Sequence, residues 1–435
     1  MAQEAFSRAK IAQKWKSVLE HESLPKIQGK ARAEDTAVLL ENTMTAIKSE
    51  REMLMEASPA NSVGSYSDTG GFAKYDPVLI SLVRRAVPQL VAYDVCGVQP
   101  MTQPTGLVFA MKSRYGSQGG AEALYNEADS GYSGTGTTPS GTSPVVSPYT
   151  VQGGIATATA EAGGSSGGQA INQMAFTIEK VPVAAKERML QAQYSIELAQ
   201  DMKAIHGLDA ETELTNILAT EIVAEINREV LRTIYVSAKT GAVAGTQTAG
   251  TFDLDVDSNG RWSVEKFKGL LYQIEREANV VAQQTRLGKG NIIICSSDVA
   301  SALAMTGMLD YAPAIQRNGD LNVDEASTTF AGILNGRYKV YVDPYSGNSN
   351  ANPGQFMVVG YKGDNNMAAG LFYCPYIPLQ LLKAIDPATY QPRLAFKTRY
   401  ATVANPMVAL DAGNNDPTTA NSNYFYRKVA INNLM

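Results

Sequence analysis

A Ser-His-Asp or Cys-His site in these 435 residues would have to use His21 or His206, the only two histidines. His21 lies in a charge-rich leading segment. His206 directly precedes Gly207 and suits a helix C-terminus, where a cation meets the negative end of the helix dipole. Structural capping is its expected role. Cys96, Cys295 and Cys374 lie far apart with no CxxC spacing. An odd, sparse set of that kind fits buried thiols in a reducing compartment better than a disulfide framework. Carboxylate-only hydrolysis needs just two acids converging in space. Nothing in the order of residues points to it.

Asp255, Asp257, Asn259 and Gly260 supply the one metal-like constellation, at positions 1, 3, 5 and 6 of an EF-hand-like loop. The pattern then fails. Glu265 falls at position 11 and Lys266 at position 12, where a bidentate glutamate is needed. An acidic turn is therefore expected, with no metal and no cofactor. The glycines of 119–120, 131–141 and 163–168 are followed by no Lys-Ser/Thr pair, and no GxGxxG is present. Phosphate binding of the P-loop or dinucleotide kind does not fit.

The elements that would position any site are clearer than the site itself. Leu214, Leu218, Ile222, Ile226, Val230 and Ile234 recur every fourth residue, with Ile217, Val223 and Leu231 widening the stripe. Glu221, Glu225, Arg228, Glu229 and Arg232 stay off it. This spacing predicts an amphipathic helix from about Leu208, capped by Asp209, with Glu211 and Glu213 in its positive first turn. Thirty residues would make a rod of about 45 Å. The every-fourth repeat lacks the alternating threes and fours of a heptad seam, so packing on a sheet is expected over a coiled coil. Glu265 to Thr285 should form a second helix, with Phe267, Leu270, Leu271, Ile274 and Ala278 on one face, and Val299 to Met305 a short third. Residues 291–296, 338–342, 356–360 and 371–374 read as buried strands. In 394–400, Leu394, Phe396 and Tyr400 point inward, with Lys397 and Arg399 outward.

Net charge is −5 and only 18% of residues are charged, which argues against a protein built to grip nucleic acid. No charged-then-apolar leader and no run near eighteen apolar residues is seen. A soluble chain, intracellular when made, is expected. Residues 1–56 stand apart, with about a third of positions charged. Ile11, Trp15, Val18 and Leu19 make one thin stripe, and Leu40, Met44, Ile47 and Leu54 another. These helices carry too little apolar surface for a core of their own, and a solvated helical tail is the plain expectation. An extended arm over 58–76, a short helix over 78–91 and a polar loop over 308–329 are also expected. Between strands at 107–111 and 174–183 lie some sixty glycine-rich residues, which in a compact domain are either disordered or a projecting loop.

Tyr194-Ser-Ile-Glu-Leu-Ala-Gln-Asp201, Leu218-Ala-Thr-Glu-Ile222, Glu225-Ile-Asn-Arg-Glu-Val230, the run from Tyr93 to Gly106 after paired Arg84 and Arg85, and Phe396-Lys-Thr-Arg-Tyr400 strongly resemble the major capsid proteins of T-even-type tailed bacteriophages. The likeness runs from about Val83 to Asn405, missing only the glycine-rich insertion. It implies an α+β chain of the HK97-like capsid fold. Residues 1–56 would be a propeptide that meets an internal scaffold, 57–105 an N-terminal arm and 106–186 an extended hairpin (the E-loop) lying over a neighbour. The larger insertion domain of T-even members looks reduced or missing here. Residues 187–250 would form a P-domain on the long helix, 251–385 an A-domain, and 386–435 the returning strands. Leu218, Ile222, Ile226 and Val230 would be the core of that spine. The family's prohead protease prefers Leu or Ile, any residue, then Glu before a small residue. Leu54-Met55-Glu56 before Ala57 fits; Leu39-Leu40-Glu41 is followed by Asn42. The implied function is self-assembly, chiefly as hexamers, into an icosahedral head. Its implied partners are a vertex protein, scaffold, protease and packaged DNA without sequence-specific contact. The rivals are a vertex paralogue, an encapsulin-like shell and a soluble α/β enzyme.

Overall fold

Stripes of period near four and alternation of period two separate helices from strands along this chain. In the computed structural model the described residues are 8, 10–20, 27, 29–55, 90–124, 127–134, 140, 145, 148–164, 171–243, 245–258, 260, 262–311, 330–345, 354–365, 367–386, 389–405 and 418–434. His21, Glu56, Ala57, the arm at 58–76, residues 78–89 with Arg84 and Arg85, and 312–329 lie outside them. Met1–Gly106 with Val183–Met435 form one compact unit, and Leu107–Pro182 a second.

The first unit opens with α1 (Lys16–Leu19), α2 (Lys30–Met55), α3 (Ala92–Val95) and β1 (Gly97–Val98). The second is built on β2 (Thr105–Tyr115), β3 (Glu122–Ala123), α4 (Thr157–Glu161) and β4 (Met174–Ala184), with strand order β3-β2-β4. The first unit resumes with β5 (Lys186–Gln193), α5 (Ile196–Ile205) and α6 (Ala210–Ser237). Then come β6 (Ala238–Thr240), β7 (Thr251–Asp253), α7 (Ser263–Thr285), β8 (Ile292–Ser296), α8 (Ser297–Met305) and β9 (Leu309–Tyr311). The chain closes through β10 (Phe330–Leu334), β11 (Tyr338–Asp343), β12 (Gln355–Gly360), β13 (Leu371–Ile385), β14 (Pro392–Ala404) and β15 (Asn423–Asn432). The α+β class is as expected.

The long helix α6 spans 28 residues, about 42 Å at 1.5 Å per residue. The Asp209 side chain accepts the Glu211 N–H, and Glu211 and Glu213 occupy the first turn as predicted. Its stripe meets sheets rather than a partner helix in a coiled coil, packing on β5, β14 and β15. Two sheets serve this unit. One runs β1-β13-β14-β5; the other runs β6-β15-β12-β8-β11-β10-β9, with β7 also on β15. The larger sheet separates two cores. Ile292, Ile294 and Val358 face the core that holds the α6 stripe, while Ile293, Cys295 and Val359 face the one that holds α7 and α8. Covering on both faces explains why β8 is apolar at every position but its last rather than alternating.

Three sequence expectations are corrected. The polar loop expected over 308–329 begins instead with strand β9 at Leu309–Tyr311, paired antiparallel with β10. Ile217 is 61% exposed and not part of the stripe. It sits about 100° around the helix from Leu218, on the side away from Ile222. The leading segment is not a solvated tail. Trp15, Ala37, Leu39 and Leu40 are at most 4% exposed and belong to the same core as Ile222 and Phe396. Every residue from Asp35 to Leu40 is buried. A helix covered on more than one side needs no single apolar stripe, so a thin stripe was the wrong measure of its burial.

Candidate assembly surfaces

In the second unit, β2 and β4 alternate in an unusual sense. Val108, Ala110 and Lys112 are buried, whereas Leu107, Phe109 and Met111 are 53%, 56% and 66% exposed. On β4 the exposed face carries Met174, Phe176 and Ile178, at 56%, 61% and 61%. The Gly116 N–H donates to the Gln173 carbonyl at 2.8 Å, which sets the strands side by side. On the opposite face Lys112 Nζ pairs with Glu179 at 2.9 Å, although Lys112 is only 7% exposed. The covered face thus holds an ion pair and the open face holds six large apolar side chains. Such a patch marks a surface for a partner. Gly120 shapes the turn beyond β2, because a Cβ there would lie 1.8 Å from the Tyr115 carbonyl oxygen. The glycine-rich middle drew attention in the sequence. The period-two signal at 107, 109, 111 and 174, 176, 178 identifies the face.

The predicted spine residues Leu218, Ile222, Ile226 and Val230 are 6%, 1%, 4% and 0% exposed. The charges beside them are not simply outward. Arg188 on β5 bridges Glu225 at 2.9 Å and also Glu229, which in turn accepts the Tyr400 hydroxyl on β14. Arg228 reaches across to Asp343 at the end of β11, donating to both carboxylate oxygens at 2.6 and 2.8 Å. The Tyr235 hydroxyl donates to the same carboxylate at 2.8 Å and the Tyr345 N–H at 3.0 Å. The Asp343 side chain is fully buried, so this fourfold satisfaction is what permits the charge. A second buried pair joins α7 to β15, with Arg427 Nε 2.6 Å from a Glu277 oxygen. These contacts lock helices to sheets.

The candidate reactive residues have structural occupations. His206 caps α5, its N–H donating to the Met202 carbonyl, and Gly207 follows at φ +68°. Burial pushes the thiols of Cys96, Cys295 and Cys374 up to about 12, which keeps them protonated and inert. In the acidic turn, Asp257 accepts the Gln247 and Asp253 N–H groups at 2.9 and 3.0 Å, and Asp255 pairs with Lys266. Asp253 accepts from Asn433 at 2.9 Å, and Asn259 lies outside the described residues. Among the described residues, no cluster of three His, Cys, Asp or Glu side chains could hold a metal ion. Leu54 is in the last turn of α2, with Glu56 and Ala57 beyond the described residues.

Comparison with known proteins fits a chain whose surfaces outrank its chemistry. The family model for major capsid protein Gp23 matches residues 72–431. The major capsid protein of Salmonella phage ViI is 42% identical over 85% of this chain and 87% of its own. That of Vibrio phage KVP40 is 36% identical over 98% and 100%, and that of Enterobacteria phage T4 is 36% identical over 92% of each. The T4 capsid vertex protein matches at 28% over only 53% of each chain. The capsid of Myoviridae phage XM1 aligns over 78% of this chain and 91% of its own, but at 7% identity and a TM-score of 0.41 it carries no argument about detail. With 85–98% of its length matched by major capsid proteins and about half by a vertex protein, the chain belongs to the major capsid protein Gp23 family and is a structural protein of a tailed phage's head shell.

Proposed function

We propose that the subunit assembles chiefly as hexamers in an icosahedral shell of the HK97 type, using its second unit as the hairpin that overlies a neighbour. The open face of Leu107, Phe109, Met111, Met174, Phe176 and Ile178 is the observation that carries this reading. A second copy of the same chain is its occupant. Burying one such side chain is worth about 1.5–3 kcal/mol, and closed symmetry repeats the contact around every capsomer. On this reading the α6 region is the P-domain, the larger sheet with α7 and α8 the A-domain, and residues 1–56 a propeptide cut after Glu56 by the phage's prohead protease. Scaffold and vertex protein complete the shell, which confines DNA without sequence-specific contact. The net charge of −5 suits such a container.

Electron microscopy of the purified protein tests the assembly. Shells or tubes are expected from the natural chain and only small particles from Phe109→Asp with Phe176→Asp. Shells formed equally well by the double variant would refute the role given to this face. Intact mass of particles made with the phage protease should place Ala57 first; retention of Met1 would refute the cut.

A further inference from the structure

The leading segment is held as a ligand is held. Its Arg32 pairs with Asp94 and lies over the Tyr93 ring, with 5.6 Å between guanidinium carbon and ring centre. The Asn42 amide donates to two main-chain carbonyls of the body, Met101 at 2.7 Å and Tyr376 at 2.9 Å. Leu39 and Leu40 enter the core that includes Leu371, Tyr373 and Leu379 of β13. From the outer side Trp15 folds back, its indole N–H donating to Glu41 at 2.9 Å, and Lys14 pairs with the same carboxylate. All of these contacts involve residues 14–42. The Glu56–Ala57 bond is fourteen residues beyond the last of them.

We propose that residues 10–20 and 29–46 belong to a separable peptide, seated in a groove lined by β13 and the Tyr93–Val98 segment of their own subunit, and that they stay seated after the chain is cut. The inference rests on the cut proposed above for its timing, while the seating itself stands on the contacts just described. Hydrolysis of the Glu56–Ala57 amide consumes one water, leaving a carboxylate on Glu56 and an amine on Ala57. No contact in the groove changes in that step. Cutting and departure are therefore two events, and departure is the one that uncovers Tyr373, Leu379 and Val95. Asp35 supports the design of a releasable seat: it shares a 320 Å³ cavity with Arg32, Tyr93, Asp94 and Lys362 instead of a purely apolar site.

The test makes the full sequence as two chains from one transcript, a tagged 1–56 and an untagged 57–435. Capture on the tag should bring down both in equal amounts, and the pair should stay together through gel filtration. Leu40→Asp in the tagged chain should lower capture at least tenfold, whereas Lys30→Ala, at a side chain 92% exposed, should leave it unchanged. A soluble 57–435 that elutes alone would overturn the proposal, and so would a body that stays insoluble with the segment present. Neither outcome bears on whether particles begin at Ala57, which intact mass decides separately.

Discussion

Replacing Ile226 by aspartate should abolish soluble folding. Ile226 is 4% exposed and lies between Ile222 and Val230 on the buried stripe of α6. Loss of its apolar burial costs about 2–3 kcal/mol. Arg188 on the neighbouring strand β5 offers no ready counter-charge, because Glu225 and Glu229 already occupy it. A buried unpaired carboxyl stays protonated at pH 7, and holding it so against an ordinary value near 3.9 costs about 4 kcal/mol. Leaving that neutral acid without a partner adds about 1–3 kcal/mol. The sum, about 7–10 kcal/mol, consumes most of the roughly 5–15 kcal/mol that stabilises a folded protein. Soluble yield, circular dichroism and sedimentation are the assays. Ile226→Val should cost only about 0.5–1.5 kcal/mol and still assemble. A folded Ile226→Asp subunit that builds shells would show that the stripe has been assigned to the wrong side of the helix.

Arg228→Met should destabilise the subunit by about 3–5 kcal/mol, because it strands the buried Asp343 charge; adding Asp343→Asn should recover part of the loss in chemical denaturation. Seating of the leading segment through residues 10–20 and 29–46 should weaken as pH rises. Burial pushes the Asp35 carboxyl up to about 7, with Arg8 and Lys362 opposing and Glu34 adding to the rise. The seated form therefore holds its proton more tightly than the free peptide, so seating is strongest below about pH 4, declines towards pH 7 and levels off above it. Capture of tagged 1–56 at pH 5 and pH 8 checks the sign, and Asp35→Asn should flatten the difference. Calcium and chelator should leave the melting temperature unchanged, because the acids of the 253–257 turn already accept protein N–H groups or pair with Lys266. A calcium-dependent rise would contradict that turn.

Much of this architecture was legible because it is written in local periods. The cap at Asp209, the every-fourth stripe to Ile234 and the inward Leu394, Phe396 and Tyr400 all follow from residues near in sequence. What escaped depends on distant partners. Glu225, Glu229 and Arg228 read as outward charges because Arg188 and Asp343, which hold them, lie about 40 and 115 residues away. The burial of residues 35–40 escaped for the same reason, since a helix enclosed on several sides has no one-sided pattern. The hairpin's two faces were readable by alternation, yet its glycine-rich middle dominated composition. Exposure cannot be read from alternation alone, which distinguishes two faces without saying which one the protein covers.

The seat of the leading helix also sets a clock on the making of the protein. Asn42 leaves the ribosome early, but the Tyr376 carbonyl that it meets is 334 residues later. At roughly 5–20 residues per second, synthesis separates them by about 15–65 s. For that interval Leu39 and Leu40 have no β13 to cover them. Contacts this distant in sequence also close slowly once both ends exist. A segment made well before β13 is thus among the last to be buried, and the nascent subunit is most prone to aggregate before its own β13 arrives.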